Sequence, residues 1–143
     1  MKQGVRPEDS APREERYVEA VGRRKTAVAR ARVTERGKGI TVTVNGRTLQ
    51  NYFPLRKFQA VVIAAFSAVS MKDATVTVKT MGGGTRAQAE AIRLAIARAL
   101  VRKNVTSRPR LKTLGFLKRD PRMVERKKPG LRKARRPQQW RKR

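Results

Sequence analysis

The sequence predicts an α/β domain of two layers, a small mixed sheet covered by two helices, followed by a long basic tail. Three observations predict it. Between residues 17 and 78, short runs alternate apolar with polar side chains, the period-two signature of strands. Two stretches, 55–69 and 85–101, instead repeat apolar residues at helical spacing, and the first lies between two of those strands. Beyond residue 117 both periods stop and Lys and Arg dominate. This divides the chain into an N-terminal extension (1–16), a body (17–116) and a tail (117–143).

The extension mixes Gly4, Pro7 and Pro12 with Glu8, Asp9, Glu14 and Glu15, and has no hydrophobic period. It reads as disordered, and its acids argue against an organellar transit peptide. Tyr17, Val18 and Val21 suggest a short strand broken at Gly22, which leaves Arg23, Arg24 and Lys25 as adjacent cations on a turn. Next, Ala27, Ala29, Ala31 and Val33 alternate with Val28, Arg30 and Arg32, giving a strand with a small apolar face and a basic face. Ile40, Val42 and Val44 form another, closed by Asn45-Gly46, a strong tight-turn signal because both residues tolerate positive φ. Pro54 suits the first turn of the following helix. There, Leu55, Phe58, Val62, Ala65, Phe66 and Val69 share a stripe, and the central AVVIAAF predicts burial on more than one side. Ala74, Val76 and Val78 alternate with Thr75, Thr77 and Lys79. Strand, helix and strand together make a crossover unit.

The crossover feeds into MGGGTRAQAEAIRLAIARALV, residues 81–101. Ile92, Ala95, Ile96, Ala99 and Leu100 form its apolar stripe, while Arg86, Arg93, Arg98 and Arg102 fall outside with Glu90. Its many alanines let another backbone approach closely. Gly82, Gly83 and Gly84 place a loop without Cβ atoms at the helix N-terminus, where unpaired N–H groups and the dipole favour phosphate. A plain turn before an Ala-rich core helix accounts for them equally well. No Lys-Ser/Thr pair follows, so this is not a nucleotide-hydrolysis loop.

Composition points to a polyanion. There are 37 Lys and Arg against 10 Asp and Glu, a net charge of +27 on 143 residues. A compact body with that charge repels itself, so an obligate anionic partner is implied. Nucleic acid is the default; a membrane surface would call for a long basic amphipathic helix with bulky apolar residues, which is missing. The sequence has no Cys and no His, which removes disulfides, thiol nucleophiles, the commonest metal ligand and the usual acid–base catalyst. Nothing approaches the roughly 20 apolar residues of a membrane span. We expect a soluble, nucleic-acid-associated protein of a reducing compartment, without cofactor or metal.

In the stretch SRPRLKTLGF, one helical turn ending at Gly115 is expected to pack Leu111, Leu114 and Phe116 onto the body. Residues 118–143 hold 13 Lys and Arg with only Asp120 and Glu125 as acids. Pro121, Pro129, Gly130 and Pro137 forbid one long helix, so this segment reads as disordered alone and ordered on its partner. Extended, it reaches roughly 80 Å. It is either a nonspecific arm or, given Leu131 and Trp140, one with specific bends and a stacking contact.

GGGTRAQAEAIRLAIARAL resembles the signature of the universal ribosomal small-subunit protein nine family in its bacterial form. The likeness extends to GRRKTAVARARV, VNGR, GFLKRD, RMVERKKPGLRKARR and the closing Lys142-Arg143, in order. It implies a ribosomal-protein-type domain whose crossover has left-handed character, against the general right-handed rule. It further implies a cytoplasmic protein in the head of the small subunit, bound to the 3′ major domain of its rRNA beside neighbouring head proteins. The tail would run through rRNA until its terminal cations approach the anticodon stem-loop of P-site tRNA. The chain departs from the family in the tail. Pro129 replaces an aromatic, Trp140 a Phe and Arg141 a Ser, and Pro137-Gln138 stands for Ala-Pro.

We therefore expect a structural RNA-binding protein without catalysis. The rRNA-binding candidates are Arg23, Arg24, Lys25, Arg30, Arg32, Gly82, Gly83, Gly84, Arg86 and Arg93. In the tail they are Arg126, Lys127, Lys128, Arg132, Lys133, Arg135 and Arg136. Arg141, Lys142 and Arg143 are the candidates for tRNA, and Trp140 for stacking. Two rival classes are a basic ribonuclease subunit and a chromatin-type DNA binder. The first needs clustered carboxylates, and Glu19, Glu35, Asp73 and Glu90 are isolated in sequence.

Overall fold

The computed structural model describes residues 17–35 and 37–140. The expected N-terminal extension and the tRNA candidates Arg141, Lys142 and Arg143 lie outside the described residues. In chain order the elements are β1 (Val18–Arg24), β2 (Ala27–Thr34), β3 (Ile40–Val44), β4 (Arg47–Thr48), α1 (Leu49–Tyr52), α2 (Arg56–Val69), β5 (Ala74–Met81), α3 (Thr85–Lys103) and α4 (Arg108–Thr113). A 3-10 turn, Val105–Ser107, joins the last two helices.

The strands form one five-stranded sheet in the order β1-β2-β5-β3-β4. Only β3 and β5 are parallel, and α2 connects them, so the predicted crossover is present. Strict alternation gives the sheet two unlike faces. Ala20, Ala27, Ala29, Ala31, Val33, Val42, Val44, Val76 and Val78 are buried beneath the helices. Arg30, Arg32, Thr77 and Lys79 stand exposed on the other face, which no described element covers. The body is thus a two-layer sandwich with an open basic side.

The alanines of β1 and β2 set how closely the second layer sits. In α3 the buried residues are Ala87, Ala89, Ala91, Ile92, Leu94, Ala95, Ile96, Ala97, Ala99 and Leu100, well beyond the predicted stripe. The backbone that approaches those small residues is β1. Gly22 continues that strand rather than breaking it, because a Cβ at this position would overlap the carbonyl oxygen of Ala91. Consequently Arg23 and Arg24 lie in the strand, and the tight turn is Lys25-Thr26, with Lys25 at φ 51°.

Other expectations need correction. α2 buries only Val62, Ala65 and Phe66, so it is a one-sided outer helix despite its apolar middle. Leu55 is exposed at its N-cap, and Pro54 precedes the helix instead of opening it. Within α4, Leu111 is fully buried; after the helix, Phe116 is partly buried whereas Leu114 is exposed.

The Asn45-Gly46 turn has φ values of 49° and 77° and joins β3 to the short β4. Asn45 also extends the sheet by another route. Its side-chain amide donates to the Thr80 carbonyl at 3.0 Å and accepts from the Thr80 N–H at 2.9 Å. One side chain here replaces a peptide of the ladder.

Candidate RNA-binding surfaces

The open face carries its cations in register. Arg30 of β2 lies directly opposite Lys79 of β5, and Arg32 opposite Thr77. Like charges paired across antiparallel strands destabilise a sheet unless something negative lies over them. Among the described residues, Glu19 offers relief: its carboxylate pairs with Arg32 at 2.8 Å and Arg30 at 3.3 Å. The Arg32 hydrogen bond holds that carboxyl below its ordinary range, with burial working against it and both arginine charges adding to the shift. The Arg32 guanidinium also stacks on Tyr17, 4.6 Å from the ring centre. This face suits a sugar–phosphate backbone better than bases, because Tyr17 is the one aromatic on it among the described residues.

At the other end of β5, the glycine loop has an internal reason. Gly82 and Gly83 adopt φ 70° and 67°. A Cβ on Gly82 would lie 2.6 Å from the Thr26 carbonyl oxygen, and one on Gly83 2.9 Å from the Ala27 Cβ. Both glycines therefore let β5 turn into α3 against the β1–β2 turn. Gly84 differs: it caps α3 in extended geometry with open space where a Cβ would point. Of the three, only Gly84 is left without a packing role. Beside it, Arg86 pairs with Glu90 at 3.1 Å, and the Arg93 guanidinium lies 4.5 Å from the centre of the Phe116 ring.

Arg24 faces inward. Its Nε donates to Glu90 at 2.6 Å, Nη2 pairs with Asp120 at 3.0 Å, and Nη1 donates to the carbonyls of Asp120 and Arg122 at 3.1 and 2.7 Å. The sequence placed this residue among the exposed turn cations, and nothing local signals that its partners lie so far along the chain. Arg98 and Arg102, one turn apart on α3, were not among the candidates. They donate to the carbonyls of Val21 and Glu19 and so cover the edge of β1, which would otherwise be open to another strand.

In the tail, Lys128-Pro129-Gly130-Leu131 forms a type II turn. The Leu131 N–H donates to the Lys128 carbonyl at 3.4 Å, and Gly130 has φ 76°. Pro129 suits that turn by its fixed φ. Leu131 then bridges to Pro137, and Glu125 pairs with Arg135 at 2.8 Å and Lys128 at 3.2 Å. Arg126, Lys127, Arg132, Lys133 and Arg136 are exposed around this loop, and Trp140 is 80% exposed.

Every described carboxylate is already engaged. Glu35 pairs with Lys103 at 2.9 Å, Asp73 accepts the Gly39 N–H at 2.7 Å, and Glu19, Glu90, Asp120 and Glu125 hold arginines. Among the described residues, no group of three potential ligands is placed to hold a metal ion.

The family model for ribosomal protein S9/S16 matches residues 22–143. The chain belongs to that family. The small ribosomal subunit protein uS9 of Mycolicibacterium smegmatis is 46% identical over 141 residues, spanning 95% of this chain and 93% of the relative. That of Bacteroides fragilis is 48% identical over 127 residues, spanning 88% and 98%. That of Rhodococcus opacus is 47% identical over 130 residues, spanning 90% and 75%. The S9/S16 family consists of structural ribosome components rather than enzymes, which removes the ribonuclease alternative. The matched region takes in the body from Gly22 and the whole basic tail.

Proposed function

We propose that this chain is a structural constituent of the small ribosomal subunit in the bacterial cytoplasm, binding the 3′ major domain of its rRNA. Membership of the S9/S16 family across residues 22–143 carries this reading. In it, the open face offers Arg23, Arg30, Arg32 and Lys79 to phosphates. Lys25 at the hairpin, Gly84 and Arg86 at the start of α3, and Arg93 two turns further along it form a second contact. The exposed cations from Arg126 to Arg136 track the rRNA backbone, and Arg24 serves within the protein. Trp140, Arg141, Lys142 and Arg143 then project beyond rRNA to the anticodon stem-loop of P-site tRNA, with Trp140 stacking. Neighbouring head proteins complete the site.

Reconstitution of small subunits with and without this protein, followed by chemical footprinting, tests the rRNA assignment. The protein should sediment with subunits at moderate salt and protect nucleotides of the 3′ major domain. Protections confined to another domain, or loss of the protein at moderate salt, would overturn it.

A further inference from the structure

Five charged side chains alternate in sign across the junction of body and tail: Arg86, Glu90, Arg24, Asp120 and Arg122. Successive contacts are 3.1, 2.6, 3.0 and 3.1 Å. Arg24 is the middle member, and its side chain is only 13% exposed. All three of its guanidinium nitrogens are used, two on carboxylates and one on main-chain carbonyls. Those carbonyls, of Asp120 and Arg122, flank Pro121, whose ring fixes φ between them. Asp120 tightens the same corner by accepting the Arg122 N–H at 2.9 Å. Beyond Arg122, every residue up to Gly130 is exposed, so this corner is the last segment held against the body before the tail departs.

We propose that Arg24 is a positioning residue for the tail, fixing the direction in which it leaves the body so that its far end arrives at the tRNA. This rests on the tRNA reading above. The physical argument is one of effective concentration. The tail beyond the corner would span roughly 70 Å if fully extended, and a swivel at its root spreads the tip over a large volume before it docks. Between so many like charges, repulsion alone sets no direction, whereas the planar fork of Arg24 aligned to two carboxylates and two carbonyls does. Lysine keeps the charge without the fork and cannot reproduce that alignment.

The test uses the full chain and nitroxide labels on cysteines introduced at Ser67 and Val124, both exposed; the chain has no cysteine of its own. The wild-type pair should give one narrow distance distribution. Arg24→Gln, the double variant Arg24→Gln/Glu90→Gln and Arg24→Lys should all broaden it, with circular dichroism unchanged. In reconstituted subunits, Arg24→Lys should lower P-site tRNA affinity about three- to tenfold while the protein's stoichiometry stays at wild type. A distribution that stays narrow in all three variants overturns the proposal. So does a broadened one with unaltered tRNA affinity when removal of residues 141–143 does lower that affinity. If that removal also changes nothing, the tRNA reading itself falls, and the positioning role with it.

Discussion

The Nε of Arg24 donates to Glu90 at 2.6 Å across 66 positions of sequence, joining the end of β1 to the second turn of α3. The same guanidinium holds Asp120, so strand, helix and tail root meet at one cation. In a chain of net charge +27, two of its few carboxylates are spent on this junction.

Acid should release that junction. Burial pushes the Glu90 carboxyl up, but hydrogen bonds from Arg24 and Arg86 outweigh it, and the net shift is downward. Hydrogen bonds from Arg122 bring Asp120 down to about 2. Folded values below the unfolded ones mean stabilisation that is present above about pH 4 and lost as pH falls toward 2. The distance distribution between labels at 67 and 124 should stay narrow at pH 5 and broaden from pH 4 downward. A distribution unchanged to pH 2 with the fold retained would contradict this.

Gly22 and Gly84 should respond in opposite ways to the same substitution. Gly22→Ala drives a methyl group into the Ala91 carbonyl and should cost more than about 3 kcal/mol, read by denaturant unfolding. Gly84→Ala places its methyl in open space and loses only the N-cap preference of glycine over alanine, so it should cost no more than about 1 kcal/mol. If phosphate docks at Gly84, the same variant weakens rRNA binding. Equal destabilisation by the two would refute the packing assignment.

Asn45→Ala removes both hydrogen bonds to the Thr80 backbone and leaves a non-glycine residue at φ 49° without its side-chain support. A loss of about 2–3 kcal/mol is expected in equilibrium unfolding. A loss below about 0.5 kcal/mol would show that the amide is not part of the ladder.

Lys79→Thr separates fold from function by sign. Removing one of two opposed cations should raise the denaturation midpoint of the free protein. It should also weaken rRNA binding and reduce the salt slope by about 0.7–0.9. Weaker binding without a change in slope would place Lys79 away from phosphate.

Much of this was legible in the residues because period two and period 3.6 survive in a small domain. The alternation of Ala27, Ala29 and Ala31 and the Asn45-Gly46 turn specified their elements directly. Gly22 misled because close packing against Ala91 and a chain break call for the same residue, and only the partner distinguishes them. The candidate surfaces divide similarly. Arg30 and Arg32 were readable from alternation, whereas the inward role of Arg24 depends on residues 66 and 96 positions away. Lys79 was read only as part of a strand, since its significance lies in standing opposite Arg30.

In the proposed function, this protein holds rRNA with its body and tail and touches tRNA with its tip. P-site tRNA affinity should be measured across a salt series on subunits whose copy of this protein lacks Arg141, Lys142 and Arg143. Affinity should fall, the salt slope should drop by at most about three contacts' worth, roughly 0.7–0.9 each, and the stoichiometry of the protein should not change. Unaltered affinity and slope at full stoichiometry would show that the tip never reaches tRNA and that the tail is a clamp on rRNA alone.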